Sequence, residues 1–154
     1  MSSSDDLVRQ AKAGYKQVPQ VPQRRTAVVT CIDTRLDPLR ILKADPGDLH
    51  VLRNAGGVIT EDVIRSLVVS TNRLQVNTVM LIMHTDCGML NIDQAGVEAD
   101  LGPLPFDLGG FSDLEGELQR GAARIRANPL LDLSGGVTAH VYDVTNGSLR
   151  LHKG

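Results

Sequence analysis

Four short apolar runs separated by helix-like stretches constrain this chain more than any other feature. They span residues 26–32, 49–52, 76–83 and 137–144. The first is mostly β-branched, as expected for a strand buried on both faces. Pro46-Gly47-Asp48 turns the chain into the second. Thr60-Glu61-Asp62 opens a helix running to about residue 74, with acidic residues in the first turn, where the helix dipole favours them. Residues 112–128 read as a longer helix, with Ser112 as cap and Glu115 at the capping-box position, ended by Asn128-Pro129. Asn146-Gly147 is a hairpin signal leading to a closing strand at 149–151. Strand–helix alternation of this kind predicts an α/β fold. Its central sheet is mostly parallel, of about four strands, with flanking helices on both faces and a short antiparallel closing strand. The Gly- and Pro-rich segment 94–110 reads as structureless.

Ahead of the first run, residues 5–18 read as an amphipathic helix with Leu7, Val8, Ala11 and Tyr15 on one face. A Pro-bearing linker follows. Such a helix cannot bury its stripe alone, so it must pack on its own domain or on a second subunit. The division is therefore 1–23 as helix and linker and 24–154 as one α/β domain, which suits a chain of 154 residues. With 42% hydrophobic residues the chain can form a core without disulfides. A formal net charge of -2 and scattered basic residues give no nucleic-acid footprint. The longest apolar run, residues 79–83, is far short of the roughly 20 a membrane span needs. The polar, acidic start differs from a secretory leader, so the expected setting is cytoplasmic, with reduced thiols.

In open parallel sheets, ligands bind beyond the carboxyl ends of the strands. The reactive residues fall there: Cys31-Ile-Asp33-Thr-Arg35 after the first run, Arg53-Asn-Ala-Gly56-Gly57 after the second, His84-Thr-Asp-Cys87-Gly after the third. His84 and Cys87, three apart at a strand-to-helix turn, can face one ion, and Cys31 can add a third ligand from the neighbouring strand end. Two thiolates and one imidazole match a catalytic zinc with its fourth position open, and soft sulfur argues for Zn2+ over magnesium or calcium. His50 and His140 lie within expected strands and His152 in the terminal tail, and none is assigned a role.

Asp33 can accept the proton of a metal-bound water or occupy the open position itself. Arg35 can grip it with a two-pronged pair and hold it clear. Gly56 and Gly57, ahead of a helix, can bring the backbone close to a metal-bound oxygen and line the substrate pocket. A nucleophilic Cys31 of the phosphatase kind would need an arginine six positions on, where this chain has Asp37.

Taken together, Cys31-Ile-Asp33-Thr-Arg35 and His84-Thr-Asp-Cys87, with Arg53-Asn-Ala-Gly-Gly between them and Tyr142-Asp-Val-Thr-Asn-Gly-Ser-Leu near the end, resemble the β-class carbonic anhydrases. The likeness runs from about residue 24 to 151 and is nearest the small archaeal and actinobacterial branch. The resemblance implies one zinc per subunit on Cys31, His84 and Cys87, and a lyase activity, the reversible hydration of carbon dioxide to bicarbonate by a zinc-bound hydroxide. It implies that Asp33 orients the hydroxide and Arg35 positions Asp33, and that Asp33 becomes a fourth ligand where the site is closed. It also implies a homodimer or larger assembly, with the N-terminal helix reaching the partner. Two departures stand out. Asp45 precedes the Pro-Gly turn where plant-type members carry Gln, and the aromatic pocket residues of that branch have no clear counterparts beyond Phe106 and Phe111. Hydrolysis of carbonyl sulfide or carbon disulfide on the same scaffold, and a silent zinc-binding regulatory role, are the alternatives.

Overall fold

The computed structural model describes residues 4–11 and 17–154. Its centre is a five-stranded sheet in the order β2-β1-β3-β4-β5. The strands are β1 (Thr26–Cys31), β2 (Leu49–Asn54), β3 (Thr78–His84), β4 (Gly136–Tyr142) and β5 (Leu149–Leu151). The first four are parallel, and β5 returns antiparallel on β4. The α/β expectation therefore holds, closing strand included. Every residue of β1 is buried, which is what its β-branched run requires of an inner strand. Because the chain runs from β1 outward to β2 and then returns to the other side of β1 for β3, the order reverses between β1 and β3. A crevice at that point is where open α/β sheets take ligands.

Helix α3 (Glu61–Arg73) starts where acidic residues follow a threonine, and Thr60 Oγ1 accepts from Val63 N at 3.3 Å. Helix α5 (Leu114–Arg126) lies against β3 and β4. Val63 and Leu67 of α3 and Leu118, Ala122 and Ile125 of α5 join Ala27, Val29, Val79, Leu81, Ala139 and Val141 in the main core. By the two-residue alternation of strands, Val28, Thr30 and Ile82 point to the opposite face, and they too are fully buried. No helix among the described residues is long and apolar enough to cross a membrane.

The structure corrects several expectations. The segment read as structureless from residue 94 holds helix α4 (Gln94–Leu101), started by Asp93, whose side chain accepts from Gly96 N at 2.9 Å. None of its residues is buried, so it carries no apolar stripe for a periodicity argument to find. Asp113, not Ser112, occupies the cap position of α5, without a side-chain cap bond. Glu115 is drawn away from capping by Arg150 and stands 3.6 Å from His152. A single turn, α2 (Pro38–Ile41), follows Asp37, with proline in its first turn where the missing N–H costs nothing. The N-terminal helix α1 spans Ser4–Gln10. Residues 12–16 of the helix expected over 5–18 lie outside the described residues. Val18, ahead of Pro19, is not helical and packs against Gly47.

Candidate metal centre

Cys31 ends β1 and His84 ends β3, the two strands flanking the reversal point, and Cys87 follows one turn later. One ligand atom from each lies within 4.8 Å of the others, and all three residues are buried. The sulfurs are 4.0 Å apart and both thiols are free. Alternation along the strands puts Cys31 on the α3/α5 face and His84 on the opposite one, so the cluster caps the end of the sheet.

The surroundings fit a cation. His84 Nδ1 stands 2.8 Å from the Thr85 carbonyl, which can only accept, so the proton is on Nδ1. In the neutral imidazole Nε2 is then the acceptor, and it is buried without a hydrogen-bond partner. An unpaired buried acceptor costs about 1–3 kcal/mol, which a metal ion removes. Thr85 is itself pinned, its N donating to Tyr142 O at 3.0 Å and its Oγ1 accepting from Val144 N at 3.1 Å. Fixing a ligand imidazole through its other nitrogen is how metal sites set tautomer and aim. Burial, and secondarily the neighbouring Cys31, push the Cys87 thiol up. A divalent cation reverses that preference and holds both sulfurs as thiolates.

Asp33 and Arg35 meet as expected. Arg35 Nε donates to Asp33 Oδ1 at 3.0 Å, Nη2 to Oδ2 at 2.8 Å, and the Arg35 amide to Oδ1 at 2.9 Å. These bonds, side chain first, hold the Asp33 carboxyl well below the usual carboxylate range despite partial burial. Asp33 Oδ2 is 3.9 Å from His84 Nε2. The sequence reading missed Asp86. Its carboxylate accepts from Arg35 Nη1 and its carbonyl from Nη2, both at 2.9 Å, so Arg35 spans the ends of β1 and β3. An acid between His84 and Cys87 was the available signal. A cleft of about 450 Å³, lined in part by Thr34, Arg40 and Tyr142, opens onto Arg35.

Gly56 and Gly57, in a one-turn 3-10 helix after β2, both have positive φ. Gly56 N donates to Cys31 Sγ at 3.2 Å. A Cβ on Gly56 would stand 3.1 Å from Met89 and 3.2 Å from Phe111, and one on Gly57 would stand 3.1 Å from the Thr30 backbone. Of the two aromatics, Phe111 is buried on this turn while Phe106 is exposed. His50 bonds Ser70 and His140 bonds Thr138, away from the cluster.

Fold and site together define a parallel α/β protein with a buried Cys-His-Cys group able to hold a metal ion, placed at a sheet reversal. The profile of the carbonic anhydrase family matches residues 26–104. The β-carbonic anhydrase 1 of Mycobacterium tuberculosis is 34% identical over 148 residues, covering 89% of this chain and 88% of that protein. A carbon disulfide hydrolase of Acidianus is 32% identical over 176 residues, covering 94% and 86%. The crystal structure of a carbonic anhydrase from Streptococcus mutans superposes with a TM-score of 0.91 at 34% identity, covering 99% of each chain. The chain belongs to the β-class carbonic anhydrase family.

Proposed function

We propose that this protein catalyses the reversible hydration of carbon dioxide to bicarbonate and a proton, using one zinc ion per subunit held by Cys31, His84 and Cys87. The observation that carries the proposal is the buried, unpartnered Nε2 of His84 in a cluster with two free thiols. That donor set, two sulfurs and one imidazole, suits zinc. Zinc bound there would supply Lewis acidity that brings the ionisation of water near neutral pH. Asp33, ionised throughout the working range, accepts a hydrogen bond from the nucleophile and orients it. Arg35 occupies both carboxylate oxygens and so keeps Asp33 from becoming a fourth ligand. Gly56 and Gly57 form the substrate-pocket wall on the Cys31 side, where a side chain would crowd Met89 or the backbone of β1.

A second reading, hydrolysis of carbon disulfide or carbonyl sulfide, is favoured by the relative named for that activity. These linear molecules would meet the same nucleophile. Turnover of all three substrates by the purified protein, alongside metal content, separates the readings. Cys87→Ser is expected to lose most of the zinc together with the activity. Stoichiometric zinc with full activity in that variant would overturn the ligand set, and full zinc with no turnover of any substrate in the unaltered protein would leave a silent zinc-binding role.

We further propose a cytoplasmic homodimer or larger assembly in which the helix of segment 1–23 packs on the partner, while the end of the linker stays on its own domain, Gln23 N donating to Gly47 O at 3.0 Å. Helix α1 buries none of its residues, and its Leu7 and Val8 are 62% and 73% exposed.

A further inference from the structure

Arg53 stands near the carboxyl end of the edge strand β2, and its guanidinium meets three main-chain oxygens of one loop. Nε donates to Cys31 O at 2.8 Å, and Nη2 donates to Asp33 O at 2.8 Å and to Leu36 O at 2.9 Å. Those carbonyls belong to a residue of the metal cluster, to the carboxylate beside it, and to a leucine seated in the interior. We infer that Arg53 is a positioning residue which anchors the loop after β1 and thereby keeps Asp33 out of the metal's fourth position. The inference rests on the metal reading proposed above.

The Arg35 clamp works only if the loop that carries it is itself held. It belongs to the same loop as Asp33, so its grip fixes the carboxylate relative to the loop, and its only outside ties are to the carbonyl and the exposed carboxylate of Asp86. The contact with β2 is supplied by Arg53, together with the bond from Ile32 N to Asn54 O at 2.9 Å. The margin is narrow. Two atoms bound to one tetrahedral zinc lie about 3.3 Å apart, and Asp33 Oδ2 is already 3.9 Å from His84 Nε2. A loop shift of roughly 1 Å, the scale at which misplacement of a catalytic group becomes costly, is enough to bring the carboxylate into ligand range. The planar fork of arginine can serve three carbonyls at fixed angles, which the point charge of lysine cannot do.

The test uses the cobalt(II)-substituted full chain, titrated with thiocyanate and followed by visible absorption. Thiocyanate must compete for the fourth position, so its affinity reports how free that position is. Arg53→Gln is expected to weaken thiocyanate binding about tenfold at unchanged cobalt stoichiometry. Adding Asp33→Ala to that variant is expected to restore the affinity, which a merely structural role for Arg53 would not allow. In metal-free protein, exchange of the Arg35 and Leu36 amides is expected to accelerate in Arg53→Gln, independently of any metal. Should that variant fail to fold or to take up cobalt, Arg53→Lys decides, with about threefold weaker binding expected. Wild-type thiocyanate affinity in whichever variant folds, or unchanged amide exchange, overturns the inference. A wild-type protein that takes up no cobalt overturns the metal reading, and this inference with it.

Discussion

Gly57→Ala probes how the 3-10 turn is pressed onto β1. At Gly57 φ is +68°, and a Cβ would stand 3.1 Å from the Thr30 carbonyl carbon, 3.2 Å from the Cys31 nitrogen and 3.3 Å from the Thr30 α-carbon. The left-handed conformation costs an alanine about 1–2 kcal/mol. The contacts are with backbone, which has no rotamer to change, and such overpacking costs about 1–3 kcal/mol. Alanine returns about 0.4–1 kcal/mol by restricting the unfolded chain. The net is a destabilisation of about 3 kcal/mol. For a domain of this length each kcal/mol moves Tm by about 2–4 °C, so metal-free Gly57→Ala is expected to melt about 6–12 °C below wild type. Gly102→Ala is the control, because Gly102 has φ of +88° and no atom within 4 Å of its would-be Cβ. Its ψ of 174° places it in a different sparsely populated region, so it carries a conformational cost of about 1–3 kcal/mol without any close contact, a drop of a few degrees. The assay is calorimetry of all three proteins without metal, followed by competitive zinc titration. Cys31 shares the displaced backbone, so zinc affinity is expected to fall in Gly57→Ala and to stay constant in Gly102→Ala. Melting of Gly57→Ala within about 2 °C of the control would refute the close approach on which the reasoning depends.

Three other outcomes are expected. Arg35→Ala releases both Asp33 oxygens, and stopped-flow hydration assays should find turnover down roughly a hundredfold with zinc retained; unchanged turnover contradicts the clamp. Burial lowers the His140 pKa below its ordinary 6.5. The folded protein then resists a proton that the unfolded chain accepts, so this contribution to stability is intact above about pH 6.5 and declines as pH falls toward the folded value. Urea unfolding at pH 7.5 and 5 should show a smaller loss in His140→Gln than in wild type, and equal losses would be the opposing result. Deletion of residues 1–23 should reduce the assembly to monomers in light scattering, whereas an unchanged mass would place the subunit contact elsewhere.

What could be read from the sequence was whatever has a local cause. β1 announces itself by β-branched residues buried on both faces, and α3 by a threonine cap with acids behind it. The hairpin is marked by Asn146-Gly147, realised in Asp143 N donating to Ser148 O at 2.9 Å. Cys31, His84 and Cys87 were legible because strand ends of a parallel sheet share one rim, and they meet there. Features made by distant partners were not. Glu115 looks like a capping residue until Arg150, remote in sequence, claims it. Helix α4 lacks a buried face, so only the Asp93 cap betrays it. The three acceptors of Arg53 are main-chain carbonyls, which every residue possesses and no sequence can single out.

Two of the three residues in this cluster are mechanically unlike the walls around it. Cys31 and His84 terminate the two inner strands β1 and β3, each paired on both sides with a parallel neighbour. Local opening in a sheet starts at its edges and reaches such inner strands last. The loop carrying Asp33 and Arg35 is held from outside by Arg53 of edge strand β2 and by the exposed Asp86, and Met89 and Phe111 come from the connection that contains helix α4, none of whose residues is buried. Drift in an outer segment can therefore reshape the cavity while Cys31 and His84 stay in place. Lineages sharing this scaffold can diverge in what they admit while inheriting the same chemistry at the bottom of the crevice.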